Sequence, residues 1–220
     1  MTGQPDRTPG WSAPSGPPTT MVLLRHGDTP LSAEKRFSGL GEAGLTAAGV
    51  EQARVAARRL RDRGGIEAIV SSPLRRAVQS ARIVAGVLGL PVEVDQDLRE
   101  TDFGAWEGLT FAQARARWPD RVRAWAADPD VAPPDGESFA DTAVRIQRAR
   151  ARLVARFQGR TVLVVSHVTP IKTLVCLALQ APQATLYRMH LDSACITELD
   201  WYDDGAAVLR SFNDTNHLTA

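Results

Sequence analysis

Apolar positions along the chain fall into two rhythms. Short runs such as Met21-Val22-Leu23-Leu24, Ala68-Ile69-Val70, Val92-Glu93-Val94 and Thr161-Val162-Leu163-Val164-Val165-Ser166 have the length and β-branched content of strands. Between them, apolar residues recur every three or four positions, the period of a helix that buries one face. Thr46 stands as N-cap of a helix with Val50, Ala53, Ala57 and Leu60 inward, Arg54, Arg58 and Arg61 outward, and Gly64-Gly65 at its end. Ser72 as N-cap and Pro73 as first helical residue predict a second helix with Ala77, Ala81, Val84 and Leu88 on its inner stripe, closed by Gly89. A long helix from about Ser138 buries Phe139, Ala143, Ile146, Ala149, Leu153 and Phe157, and Gly159 lies just past its end. Thr169-Pro170 caps a last helix bearing Ile171, Leu174, Val175 and Ala178. Two closing strands are expected around Cys195 to Asp200 and Ala207 to Phe212, joined by Asp203-Asp204-Gly205.

Strands alternating with helices predict an α/β fold, a three-layer α/β/α sandwich with a mostly parallel central sheet. The 161–166 run is apolar on both faces and reads as a central strand. Two stretches stand outside the pattern. Residues 1 to about 20, rich in Pro, Gly, Ser and Thr, read as a disordered leader or linker, leaving 21–220 as the domain. The segment from about Thr110 to Asp135, with Trp118, Trp125 and four prolines, reads as short helices and loops that could cover a site.

Composition narrows the function classes. With 220 residues, one domain and one core are expected. No apolar run approaches the roughly 20 residues of a membrane span. Arginine far outnumbers lysine, yet the formal net charge is only +1, so no general basic field exists to bind nucleic acid, and an anion site must be built locally. The amino end shows no secretory pattern, and Cys176 and Cys195 make no disulfide framework, which fits a reducing cytoplasm.

Open α/β sheets bind ligands at the carboxyl ends of their strands, and three such ends here carry Arg25-His26, Arg75-Arg76 and His167. No carboxylate or thiolate joins the histidines at metal-ligand spacing, so this set suits a phosphate rather than a metal. Guanidinium forks match phosphate oxygens, and a neutral imidazole can attack phosphorus in line. The departing alkoxide needs a proton, for which Glu100, just after the Val92 to Val94 strand, is a candidate donor beside Glu107 and Asp102, and position in the family motif named below is what favours it. The chemistry these residues lead one to expect is phosphomonoester hydrolysis through a phosphohistidine, with no metal and no cofactor.

The segments LLRHGDT, SSPLRRA, LRETDFGAWEG and VVSHVTPI resemble, in order, the four signature stretches of the histidine phosphatase superfamily, the phosphoglycerate mutase-like proteins. The resemblance runs from Met21 to about Phe212. It implies that His26 is the phosphorylated nucleophile, that Arg25 and Arg76 hold the phosphoryl group, that His167 stabilises it and that Glu100 is the general acid and base. Arg76 rather than Arg75 is implied because the family arginine directly precedes an alanine, here Ala77. Thr29 and Ser38 are similar to positions that contact phosphate or substrate in relatives. ETDFGAWEGLTF, PPDGESF and SHVTPIK look most like the α-ribazole phosphatases, and especially the phosphatase domain of actinobacterial bifunctional ribonuclease H/acid phosphatases. That likeness implies a small phosphorylated metabolite such as α-ribazole phosphate as partner, no nucleic acid on this domain and no membrane; it leaves a homodimer open. Asp28 and Val168 depart from the family's usual Glu or Gln and Gly, a difference that bears on substrate choice.

Plainer roles suit other residues. His190 and His217 read as structural, Arg75 and Arg99 as surface arginines, and Trp118 and Trp125 as packing. Two rival functions remain: a phosphoglycerate mutase, which would use the same His26 but return the phosphoryl group to a bound acid, and a phosphate-binding module without turnover, for which a proton donor would be superfluous.

Overall fold

The computed structural model describes residues 16–219. Six strands form one sheet: β1 (Thr19–Arg25), β2 (Ile66–Ser71), β3 (Val92–Val94), β4 (Thr161–Ser166), β5 (Ile196–Trp201) and β6 (Ala207–Asp214), in the order β3-β2-β4-β1-β5-β6. β3, β2, β4 and β1 run parallel, while β5 and then β6 add antiparallel. The helices are α1 (Pro30–Ala33), α2 (Ala47–Arg63), α3 (Arg75–Leu88), α4 (Phe111–Arg117), α5 (Pro119–Trp125), α6 (Phe139–Arg156) and α7 (Val168–Ala178).

Strand side chains alternate between two cores, which is why the strand runs are apolar throughout. Met21, Leu23, Val162 and Val164 pack with Ile146, Leu153, Ile171 and Leu174 of α6 and α7. Val22, Leu24, Leu163 and Val165 face the other way, onto Ala57, Leu60, Ala77 and Val84 of α2 and α3. The three-layer sandwich expected from the pattern is thus formed. Each fully buried side chain of this size contributes about 1.5 to 3 kcal/mol, so burial, rather than strand propensity, holds β1 and β4 at the centre.

Several boundaries differ from the sequence expectation, each for a local reason. Strand β1 begins at Thr19 rather than Met21, because the Thr19 hydroxyl donates to the carbonyls of Val154 and Phe157 and fastens the strand's start to α6. The expected leader lies, up to residue 15, outside the described residues. Helix α3 starts at Arg75 with Leu74 in the cap position, not at Ser72-Pro73. The Ser72 N–H continues the β2–β4 ladder to Val165 O at 2.9 Å, which carries the extended chain past β2 and pushes the helix start downstream. Helix α7 starts at Val168, so His167 rather than Thr169 takes the cap position, without a side-chain capping bond. On α2 and α6, Val50 and Ala143 are only half-buried; Ala56 and Thr142 turn fully inward instead.

The segment expected to cover a site forms a packed wall. Trp106, Phe103, Val122, Phe139 and Leu186 make a third core, against which Trp125 and Phe37 lie. Trp125 meets Trp106 edge to face at 5.3 Å, and its carbonyl accepts the Tyr187 hydroxyl at 2.6 Å.

Candidate active site

Three neighbouring strand ends supply the centre. The β2-β4-β1 order sets Ser72, His167 and His26 side by side at the carboxyl edge, with Arg25 opposite Ser166 in register. Adjacent parallel strands lie about 4.8 Å apart, and the two imidazole rings are separated by 5.0 Å between centroids. His26 N–H donates to Ser166 O at 3.1 Å, so the sheet's own hydrogen bonding runs into the site and fixes it.

His26 is 4% exposed, and its Nδ1 lies 2.8 Å from Gly27 O. A carbonyl only accepts, so Nδ1 carries the proton and Nε2 keeps its lone pair. Burial first, and then the charges of Arg25 and Arg76, push the pKa of His26 well below the ordinary histidine value. The ring is neutral at physiological pH. The turn that holds it depends on close backbone approach: a Cβ on Gly27 would lie 2.2 Å from Gly49 O, and one on Gly49 would lie 2.1 Å from Asp28 O. Only glycine at both positions lets α2 begin directly behind the His26 loop.

His167 is fully buried, with Nε2 2.6 Å from Ser72 Oγ. The hydroxyl read from sequence as a helix cap therefore serves a histidine. Burial, then Arg76, His26 and Arg25, keep His167 neutral as well. Arg76 is fully buried, and its fork donates to the carbonyls of Ser38 (3.1 Å), Gly39 (2.7 Å) and Gly41 (2.9 Å). Arg25 donates to Leu191 O at 2.5 Å. Four polar atoms of this group are buried without a hydrogen-bond partner: Nε of Arg25, Nε of Arg76, Oγ of Ser38 and Nδ1 of His167. Leaving such groups unpaired costs about 1–3 kcal/mol each, and three of them are donors suited to an anion's oxygens.

Glu100 is 4% exposed and reaches the same place from another element. Its carboxylate accepts the Thr101 N–H at 2.9 Å and the Thr169 N–H, at the start of α7, at 3.3 Å. The loop carrying it is clamped by Arg145, which sequence reading missed. The buried Arg145 guanidinium donates to the carbonyls of Asp97, Arg99 and Glu100 and forms a bidentate pair with Glu137. A charged residue on the inner face of an otherwise apolar helical stripe was the available signal.

A cavity of about 1050 Å³ opens beside this group, lined by Arg25, His26, Ser38 and Glu100. His167 and Arg76 lie buried behind that lining. Thr29 does not line it; its hydroxyl accepts the Ser32 N–H and caps α1. Asp28 does, and its carboxylate accepts from Ser32, Gln52 and Ser193. Val168 lines it too. His190, read as structural, is on the rim and pairs with Asp192 at 3.0 Å, and the His217 Nε2–H donates to Ala194 O at 3.0 Å. Trp125, Phe37 and Tyr187 form the far wall. Among the described residues no cluster of three His, Cys, Asp or Glu side chains could hold a metal ion, and no helix is long and apolar enough to cross a membrane.

Two neutral imidazoles, the half-buried guanidinium of Arg25, the buried one of Arg76 and a carboxylate beside one cavity define a class of protein that handles a phosphoryl group. Residues 21–215 match the model of the histidine phosphatase superfamily, branch 1. The chain belongs to the histidine phosphatase superfamily. A bifunctional protein of Mycobacterium tuberculosis is 52% identical over 211 residues, which are 96% of this chain and 58% of that protein. The chain thus spans little more than half the length of that relative. The mycobacterial glucosyl-3-phosphoglycerate phosphatase, solved with VO3, superimposes with a TM-score of 0.82 at 35% identity, over 90% of this chain and 100% of that one. The α-ribazole phosphatase of Shigella flexneri gives a TM-score of 0.80 at 29% identity, over 89% and 96%.

Proposed function

We propose that this domain hydrolyses the phosphomonoester of a small metabolite through a phosphohistidine on His26. The observation that carries the reading is the Nδ1–H bond of His26 to Gly27 O, which leaves Nε2 as a neutral nucleophile beside His167 and the two arginines Arg25 and Arg76. Substrate oxygens take hydrogen bonds from Arg25, Arg76 and Ser38, and Nε2 forms the N–P bond as the ester P–O bond breaks. Glu100 gives its proton to the departing alkoxide; the carboxylate so formed takes a proton from water as that water attacks phosphorus, returning His26 to its neutral form. Thr29, whose hydroxyl caps α1, supports the loop that follows His26. The cell compartment is the cytoplasm, and α-ribazole phosphate, which would place the domain in cobalamin biosynthesis, is the first substrate that the motif likeness suggests.

The test is direct. With p-nitrophenyl phosphate, turnover survives chelator, and His26→Ala lowers kcat by more than about a thousandfold and removes the acid-labile phosphate from the quenched protein. Metal-dependent turnover that persists in His26→Ala ends the proposal.

A further inference from the structure

Among 26 basic residues the sequence contains only two lysines, Lys35 and Lys172. Both line the cavity that holds His26 and Glu100. Elsewhere arginine forms the ion pairs, as Arg152 does with Asp95 and Asp97 and Arg156 with Glu93. Arginine's rigid fork and lysine's compact, rotatable charge are not interchangeable. A chain that uses arginine almost everywhere keeps its two ammonium groups in one place.

Among the described residues neither ammonium group has a carboxylate of its own, and around Lys172 the attraction of Glu100 is opposed by burial and by Arg25. Every carboxylate lining the cavity is already engaged: Asp28 by Ser32, Gln52 and Ser193, Asp192 by Asn213 and His190, and Glu100 by the N–H groups of Thr101 and Thr169. Arg36, on the same wall, is paired with Glu34 at 2.6 Å. Neither lysine side chain makes a hydrogen bond or an ion pair with a described residue. Lys172 follows Val168 by four positions on α7, so both side chains share the helix face turned to the cavity. It is half-buried, and that burial draws its ammonium toward the neutral form, a cost that a bound anion would offset. Lys35 has φ of 53°, in the left-handed region where a residue with a Cβ loses about 1–2 kcal/mol. That conformation closes the end of α1, where the Lys35 N–H donates to Ser32 O and the Arg36 N–H to Leu31 O.

We infer that Lys35 and Lys172 form an anion subsite on the leaving-group side of the cavity, which selects phosphomonoesters whose alcohol bears a second anionic group. The inference rests on the phosphatase reading above and narrows it to a substrate class. α-Ribazole phosphate, whose leaving group is uncharged, then falls among the slower substrates.

The experiment compares kcat/KM for glycerol 3-phosphate with that for 3-phosphoglycerate, which has a carboxylate in place of the terminal CH2OH, and for propane-1,3-diol bisphosphate. For the wild-type chain the anionic compounds are preferred by at least about tenfold, the size of one charge-assisted hydrogen bond. Lys172→Met removes about tenfold of that ratio and Lys35→Met, on an exposed side chain that does not bear on folding, about threefold. If Lys172 acts only through Glu100, all three substrates slow together, the ratio holds, and the subsite is refuted. A wild-type chain that hydrolyses glycerol 3-phosphate without preferring either anionic compound also refutes it, while leaving the phosphatase reading intact. No phosphorylated His26 with any of the three would sink that underlying reading itself.

Discussion

The two ends of the cavity are built from different material. At the phosphate end, His26, His167, Arg76 and Glu100 are 4% exposed or less, stand at the ends of sheet strands or on clamped backbone, and are locked by bonds to Gly27, Ser72, the 38–41 carbonyls and the Thr169 N–H. At the leaving-group end the lining comes from loops and short helices: Lys35, Phe37, Trp125, Tyr187 and the C-terminal Thr215 and Leu218, all of them half-exposed or exposed. Rigid placement suits a step whose geometry is the same for every phosphomonoester, and a looser wall suits the part of the substrate that varies. The aromatic packing of Trp106, Trp125 and Phe139 keeps that wall in place without fixing its polar rim.

This contrast can be broken most severely at Arg76. Arg76→Ala deprives three backbone carbonyls and the phosphate end of one buried fork together. It should lower kcat/KM by roughly a hundredfold or more and destabilise the fold by about 2 to 4 kcal/mol. Steady-state kinetics and urea unfolding of the same preparation check both, and Arg76→Lys should rescue neither, since an ammonium cannot replace the fork. Loss of stability with full kcat/KM in the survivors would make Arg76 structural only. The next effect concerns the junction of the two ends. Glu100→Gln should slow an alkyl phosphate by about a hundredfold but an aryl phosphate by less than about tenfold, since a good leaving group needs little protonation. Equal slowing would move the proton donor elsewhere, with Glu107 next.

The smallest effect is thermodynamic and separates the locked end from the loose one. Burial and the arginine charges hold the pKa values of His26 and His167 below their unfolded value near 6.5. The stability tied to their neutral forms is therefore complete above about pH 6.5 and is lost as pH falls, because the unfolded chain takes up the protons. Each contributes a slope of about 1.4 kcal/mol per pH unit below that point. Urea unfolding between pH 7.5 and 5 measures the slope, and His167→Asn should remove about one proton of it. An unchanged slope in His167→Asn would mean that this ring is not held neutral.

How much of this could be read in the chain follows from the range of each interaction. The six strands, the helices after Thr46 and Ser138, and the positions of His26, Glu100 and His167 at strand ends or just past a strand were legible, because burial writes its period directly into the sequence. Ser72 and Thr169 were read as helix caps, since a hydroxyl before a proline or at a helix start carries that meaning locally. The fold gives Ser72 to His167 and the Thr169 N–H to Glu100, partners 95 and 69 residues away. No local pattern encodes such pairings.

The sequence by itself thus determined the layers, the order of the strands along the chain and the residue types able to bind and cleave a phosphomonoester. Tertiary structure decided the rest: that β4 inserts between β2 and β1, which seats the two imidazoles 5.0 Å apart, that Arg145 grips the backbone of Glu100, and that two isolated lysines share one cavity. The physical reason is that hydrophobic burial is set residue by residue along the chain, whereas hydrogen bonds and charges act on whatever the packed sheet brings within a few ångströms.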